Sequence, residues 1–380
     1  MKIVYFFPQL ARHAGTERVL IDKMNHLADH YGYEVYALTY EQGHLPLAYS
    51  LSEKVIHVDL GVPLWLEFRY NYVKRRLIHR ALKTKLFHRF DTFISDVRPD
   101  ILVATPYHKE ILEMALNSSH SMVRLVESHL NKRFSVDKDP RIKKLSLRRI
   151  SAWIKMQHIE KLISRFDCMV VLNQGDAEDW SKYIRTKVIF NLVHLNEGEV
   201  STLENKRVIF VGRYSKQKGI PDLFRVWELV YYRHPDWQLN LYGGMGEDYD
   251  YALAEADRLQ MNIHINEETN DIFSKYRESS IFVLTSIYEP FGLVLPEAMS
   301  CGLPVLAFDC PYGPANIISD GEDGFLIKNR DIQSFVDRLC LLIEDEKLRR
   351  QMGKKAIVSS QKFAAGNIMP EWKSLFESFF

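Results

Sequence analysis

Cysteine is scarce. The 380 residues hold four, Cys168, Cys301, Cys310 and Cys340, with no C-x-x-C pair among them. That scatter excludes a disulfide framework and a structural zinc site, and four buried thiols in a reducing compartment are expected. Long hydrophobic runs are missing as well. The opening Met1-Lys2-Ile3-Val4-Tyr5-Phe6-Phe7-Pro8 has one basic residue and an apolar stretch cut short by proline, neither a signal peptide nor a membrane span, so the expected location is cytoplasmic. There is no internal repeat of the kind that builds solenoids, and no low-complexity segment. The absence of G-x-S-x-G and of a Walker A sequence sets aside serine-hydrolase and P-loop readings.

No sign of charge prevails overall, the formal net charge being +1, yet the halves differ. Residues 1–190 carry 30 basic and 21 acidic side chains, net +9; residues 191–380 carry 20 and 28, net −8. The positive excess gathers at Arg69, Lys74, Arg75, Arg76, Arg80, Lys83, Lys85 and Arg89, and again between Lys132 and Lys161. Trp65, Phe68, Tyr70, Tyr72, Leu77, Leu82 and Phe87 are interleaved with the first group. A solvated helix face accounts for such a run; so does peripheral contact of residues 69–89 with an anionic membrane leaflet. No zinc-finger, RRM or helix-turn-helix signature accompanies it, and nucleic acid is not an expected partner.

With 46% hydrophobic, 26% charged and 12% aromatic residues, the chain can fill two cores and still wet its surface. Short β-branched apolar runs alternate with segments of helical period, the pattern of parallel sheets wrapped by helices. Strands are predicted at 2–7, 33–39, 54–59, 101–105, 122–126, 168–172 and 187–190, then at 207–211, 237–242, 261–265, 281–285, 304–308 and 324–327. Each half reads as a doubly wound Rossmann-like domain. The expected division is 1–190, an aperiodic linker at 191–206, a second domain at 207–369, and a C-terminal helix at 370–380. In the helix, Trp372, Leu375, Phe376, Phe379 and Phe380 form an apolar stripe. A cleft between two such domains is the expected ligand site, since open α/β sheets bind ligands beyond the carboxyl ends of their strands.

Two stretches carry chemistry. In Ser286-Ile-Tyr-Glu289-Pro-Phe291-Gly292-Leu293-Val-Leu-Pro-Glu297, a strand ends in a polar loop and a helix begins near Leu293. Glu289 falls in the loop and Glu297 about a turn inside the helix, two carboxylates suited to accepting hydrogen bonds from sugar hydroxyls. An ordinary early-helix glutamate explains Glu297 equally well when it is taken alone. In Val208-Ile-Phe-Val211-Gly212-Arg213-Tyr-Ser-Lys-Gln-Lys218-Gly219, a buried strand delivers a glycine loop with two cations, a diphosphate clamp that needs no metal. Lys216 and Lys218 could alternatively be loop solubilisers. Asp248-Tyr-Asp250 and Asp137-Lys-Asp139 lack a preceding apolar strand and read as turns or helix starts, not metal sites. Gly243-Gly244-Met245-Gly246 lacks dinucleotide-fingerprint spacing, and His264 has no partner at ligand spacing.

Together the stretches resemble the retaining nucleotide-sugar glycosyltransferases of family 4, whose two Rossmann domains form the GT-B fold and whose E-x7-E motif matches Glu289 to Glu297. Further matches are Ala14-Gly15-Thr16-Glu17-Arg18 after the first strand, Cys310-Pro-Tyr-Gly313-Pro-Ala-Asn-Ile-Ile, and Asp320-Gly-Glu-Asp-Gly324-Phe-Leu-Ile, as in bacterial members that build surface polysaccharides. Ala14 stands where many members have a second glycine, and Phe190-Asn191-Leu192 replaces the usual Pro-Asn-Pro.

The resemblance implies an α/β GT-B enzyme with the two domains facing a central cleft, the first domain on the acceptor side and the C-terminal helix at 370–380 packing back on it. It would move a hexose-type sugar from an NDP-sugar, expected to be a UDP-sugar, to a saccharide or polyprenyl-linked acceptor, with retention and without a metal or other cofactor. Arg213 and Lys218 would hold the donor diphosphate next to a helix N-terminus. Glu289 would face the sugar, while Phe291, Gly292 and Leu293 offer backbone groups and Glu297 binds the ribose. Gly212 belongs to the donor loop, and Gly15 would let the first loop approach the phosphates. His129, in Val126-Glu127-Ser128-His129, is the candidate for the family's active-site histidine, with Glu127 an equal alternative. A GT-B nucleotide-sugar epimerase and a silent sugar-nucleotide-binding protein are the competing readings.

Overall fold

The computed structural model describes residues 1–12, 14–106, 108–129, 132 and 147–380. Asp137-Lys-Asp139 and residues 133–146 of the second basic stretch lie outside the described residues. The chain divides into two units, Met1–Leu192 with Met369–Phe380, and Val193–Ile368.

In the first unit the strands are β1 (Lys2–Phe6), β2 (Glu34–Thr39), β3 (Val55–Asp59), β4 (Ile101–Ala104), β5 (Val123–Glu127), β6 (Cys168–Val171) and β7 (Thr186–Val188). All pair in parallel, in the order β3-β2-β1-β4-β5-β6-β7. The described helices are α1 (Gly15–Tyr31), α2 (Tyr72–Val97), α3 (Lys109–Asn117), α4 (Leu147–Ile163) and α5 (Gln174–Trp180). Ile3, Val4, Tyr5 and Phe6 are wholly buried, as a strand covered by helices on both faces requires. Helix α2 contributes Leu86, Phe90 and Ile94 to this core.

In the second unit β8 (Arg207–Val211), β9 (Gln238–Tyr242), β10 (Ile263–Asn266), β11 (Ile281–Leu284), β12 (Val305–Asp309) and β13 (Gly324–Lys328) form a second parallel sheet, ordered β10-β9-β8-β11-β12-β13. Its helices are α6 (Ile220–Tyr231), α7 (Tyr249–Leu259), α8 (Ile272–Arg277), α9 (Val294–Ser300), α10 (Ile332–Glu344), α11 (Glu346–Ser360) and α12 (Ala365–Glu377), the last running on into the first unit's C-terminal segment. Helix α10 shows the local logic. Asp331 accepts a hydrogen bond from the Ser334 N–H at 3.1 Å and so caps the start, a contact of about 1 kcal/mol. Phe335, Val336, Leu339, Leu342 and Ile343 then recur at helical spacing and are buried, each burial stabilising by about 1.5–3 kcal/mol.

Every apolar run read from the sequence as a strand forms one. Residues 191–206 behave differently from a linker. From Val193 onward they belong to the second unit: the Val193 N–H donates to the Phe363 carbonyl (2.9 Å), the Asn196 N–H to Ser300 Oγ (3.0 Å) and the Ser201 N–H to the Cys301 carbonyl (2.8 Å). A segment without periodicity can still satisfy its backbone, by bonding to loops and side chains in place of a ladder. Two details of the C-terminus differ as well. Helix α12 starts at Ala365, so Pro370 sits inside it, and Phe380, past the helix end, is 73% exposed and takes no part in the apolar stripe. Trp372, Leu375 and Phe376 are buried.

Candidate active site

Each sheet reverses its strand order once, between β1 and β4 in the first unit and between β8 and β11 in the second. Such a reversal leaves a crevice at the carboxyl edge, because the connections on either side leave toward opposite faces. The two stretches singled out from the sequence are the loops leaving β8 and β11, so both stand at the reversal of the second sheet.

These loops are stitched together. The Ile287 N–H donates to the Gln217 carbonyl (2.7 Å), Gln217 Nε2 to the Tyr288 carbonyl (3.2 Å), and Thr285 Oγ1 to the carbonyls of Lys218 (3.1 Å) and Gly219 (3.2 Å). Gly219 has φ +65°, and a Cβ there would lie 2.2 Å from the Thr285 carbonyl oxygen, so a side chain would push the loops apart. Gly212 lies under the aliphatic stem of Lys218.

The outcome is a pair of opposite charges. Lys218 Nζ donates to Glu289 Oε2 at 2.7 Å, with both side chains largely buried, and Ser286 Oγ donates to the same oxygen at 3.1 Å. Glu289 Oε1 has no hydrogen-bond partner among the described residues, which leaves it open to accept from a ligand hydroxyl. The Glu289 backbone is pinned too: its N–H donates to the Pro311 carbonyl, and its carbonyl accepts from the N–H groups of Tyr312 and Gly313. Arg213 is exposed and makes no ion pair among the described residues. Its charge is felt at Tyr288, where burial and Glu289 raise the phenol's pKa and Arg213 opposes them. Arg213 also lies near Glu247, whose carboxyl is held below its ordinary range by hydrogen bonds from its own N–H and that of Lys216.

Gly292 follows with φ +96°, and Leu293 occupies the position just before α9. Phe291 turns its ring inward, 5.3 Å from that of Phe363. Glu297 is buried in α9 and accepts from the Tyr276 hydroxyl at 3.3 Å. Lys218 and Glu289 are thus in direct contact with Gly212 beneath the lysine, while Arg213 leaves the same loop exposed. The Gly243–Gly246 loop follows β9, and Asp248 precedes α7. His264 is exposed on β10, and no group of three His, Cys, Asp or Glu suited to a metal occurs among the described residues. The four cysteines are free and buried.

In the first unit Gly15 opens α1, and Glu127 ends β5. His129 Nε2 lies 3.1 Å from Glu127 Oε1, and both side chains are 2% exposed. The surprise is Lys23, wholly buried and ion-paired with Glu127. Burial alone would raise the Glu127 carboxyl, but Lys23 and His129 beside it outweigh burial and pull it down to about 2. Trp372 covers the other side of Lys23, its ring centroid 3.8 Å from the ammonium. The signal that could have found Lys23 is its place in the apolar stripe Val19, Leu20, Met24 and Leu27 of α1, where a lysine demands a buried partner.

Helix α2 and the turn before it carry an exposed ridge of Trp65, Phe68, Tyr70, Val73 and Leu77. Arg69, Lys74 and Arg75 lie over the rings of Trp65, Tyr70 and Phe68 at 4.9, 4.9 and 4.0 Å. Its bases do not share one face. Arg75 pairs with Glu67, Lys83 with Glu113, and Arg89 donates to the Leu60 carbonyl. An open depression of about 780 Å³ runs along Leu77, Arg80, Ala81, Thr84, Lys85, His88 and Arg89, in the first unit and not at the Lys218–Glu289 pair. Among the described residues no helix is long and apolar enough to cross a membrane.

Residues 196–358 match the family described as Glycosyl transferases group 1. The chain is 27% identical over 380 residues to an uncharacterized glycosyltransferase of Haemophilus influenzae, covering 98% of this chain and 99% of that one. It is 30% identical over 210 residues, 55% of its length, to the poly(ribitol-phosphate) alpha-N-acetylglucosaminyltransferase of Staphylococcus aureus, of which it spans 41%. Other relatives are likewise spanned over half their length or less. Among solved structures, Anabaena Alr3699/HepE in complex with UDP and glucose superposes with a TM-score of 0.73 at 20% identity, all of both chains being covered. The fold is GT-B.

Proposed function

We propose that this glycosyltransferase, whose residues 196–358 match the group 1 family, moves a hexose-type sugar from a UDP-sugar to a saccharide or polyprenyl-linked saccharide of the cell surface, retaining the anomeric configuration. The observation that carries this reading is the Lys218–Glu289 pair, where the two loops at the sheet reversal meet, with Arg213 exposed on the first of those loops. Lys218 spends one of its three N–H donors on Glu289, and the others can meet a diphosphate. Arg213, exposed and planar, can grip phosphate oxygens in pairs.

As the sugar–phosphate bond breaks, its electron pair departs with the diphosphate and negative charge grows there. Cations already in place lower that barrier, each by about 3–4 kcal/mol, which is why no divalent metal is invoked. The open Glu289 oxygen faces a sugar hydroxyl, Gly292 and Leu293 offer backbone groups, and Glu297 takes the ribose hydroxyls. On this reading the acceptor is served by the first unit, with Gly15 in its first loop and His129, backed by Glu127, as the candidate polar group. On this reading the aromatic ridge and the exposed bases of α2 bring the enzyme to an anionic membrane face, where a lipid-linked acceptor would be found.

The test is a thermal-shift screen across UDP-, GDP- and ADP-sugars, followed by product analysis with and without saccharide acceptors in EDTA. Stabilisation by UDP-sugars, and turnover that survives the chelator, support the reading. Donor epimerised without an acceptor favours an epimerase, and strict Mg²⁺ or Mn²⁺ dependence overturns the metal-free clamp.

A further inference from the structure

Arg213 reaches solvent, but its neighbour Tyr214 is wholly buried. The Tyr214 hydroxyl donates to the Asn266 carbonyl (2.7 Å), with the Leu241 carbonyl 3.1 Å away, and accepts from the Asn266 N–H (3.2 Å). Burial raises its pKa, so it remains a donor. The Tyr214 backbone is held as well: its N–H donates to the Gly244 carbonyl (3.1 Å), and its carbonyl accepts from the Asp248 N–H (3.0 Å). Its ring meets that of Tyr249 edge-on at 5.2 Å. One residue thus fastens the loop after β8 to the ends of β9 and β10 and to the start of α7. The loops touch so closely that a Cβ on Gly243 would lie 2.0 Å from the Gly212 carbonyl oxygen, and one on Gly246 would lie 2.2 Å from that of Tyr214 and 3.2 Å from Arg213 Cγ.

We propose that Tyr214 is a positioning residue for the donor diphosphate: its hydroxyl pins the backbone that carries Arg213, so that the guanidinium is presented without ordering the loop at each binding event. This rests on the reading of Arg213 as a phosphate-binding group. A long side chain on a loose loop loses freedom when it grips its ligand, and an anchor next to it removes part of that cost before the ligand arrives. The hydroxyl's partners are all backbone groups at the ends of β9 and β10, so the anchor acts on the loop through its backbone and touches no ligand itself.

The experiment titrates UDP, GDP and ADP, each against its own nucleoside, into the full chain, its Y214F, R213A and G246A variants, and the Y214F/R213A double variant. Phenylalanine keeps the ring and deletes only the hydroxyl. For the diphosphate that binds, Y214F is expected to weaken affinity about five- to tenfold, to leave the nucleoside unchanged, and to add nothing once Arg213 is gone. In turnover the donor KM rises while kcat holds. G246A, which displaces the Tyr214 carbonyl and keeps the hydroxyl, is expected to show the same diphosphate-selective loss. Equal weakening of nucleoside and diphosphate, or a Y214F effect that persists in R213A, overturns the proposal in favour of a general structural role. An R213A variant that binds every diphosphate as the parent does, or a parent that binds none, overturns the underlying reading of Arg213 instead.

Discussion

Lys218 and Glu289 come from two different crossovers, 71 positions apart, and meet at 2.7 Å because β8 and β11 are neighbours in the second sheet. Largely buried, the pair is asymmetric in what its loss would do. Lys218→Met leaves a buried carboxylate with Ser286 as its remaining donor in the cluster, whereas Glu289→Gln leaves an ammonium that still reaches an amide oxygen. Lys218→Met is therefore expected to be the less stable variant by thermal melting. Both are expected to lower sugar transfer about 100- to 1,000-fold. Wild-type turnover in Lys218→Met would remove the residue from the donor site.

The Lys23–Glu127 pair sets an acid limb. Glu127 has a carboxyl near 2 in the folded chain and about 4.3 when unfolded. The sign follows: its contribution to stability is complete above the unfolded value and drains away as pH falls from about 4.3 toward 2. The gap in urea midpoint between wild type and Glu127→Gln is expected to narrow from pH 6 to pH 3. A gap that stays constant would show that Glu127 is not held as the anion.

The C-terminal helix is expected to be indispensable to the first unit. Trp372 covers Lys23, the Tyr33 hydroxyl donates to Glu377 at 3.2 Å, and Leu375 and Phe376 are buried. Trp372→Ala or Phe376→Ala should each cost about 3–5 kcal/mol, read as a fall in Tm, and truncation from Pro370 should leave little soluble protein. Phe380→Ala, at an exposed site, should leave Tm unchanged. A truncated chain as stable and active as the parent would refute this coupling.

Contact of α2 with membranes should depend on the bases that make no ion pair among the described residues. Reversing Lys74, Arg76, Arg80 and Lys85 to glutamate is expected to abolish sedimentation with anionic vesicles at low salt, and replacing Phe68, Val73 and Leu77 by serine to weaken it. Neutral vesicles should bind neither variant nor parent. Parent protein that ignores anionic vesicles would leave the ridge without this role.

Apolar runs marked where the strands lie, because such a run reports only which side chains must leave water within one short element. The motifs were legible for a similar reason: Gly212, Arg213 and Lys218 stand within a few residues of one another, as do Glu289 and Gly292. Which loops would meet was another matter. Sheet order depends on backbone pairing between segments up to a hundred residues apart, and periodicity carries no record of it. The Lys218–Glu289 contact, the Tyr214 anchor and the seating of residues 193–206 all follow from that order. Lys23 makes the division clearest. Its sequence neighbours demand burial, its charge forbids burial alone, and only folding brings Glu127 and Trp372, from positions 104 and 349 residues away, to resolve the conflict.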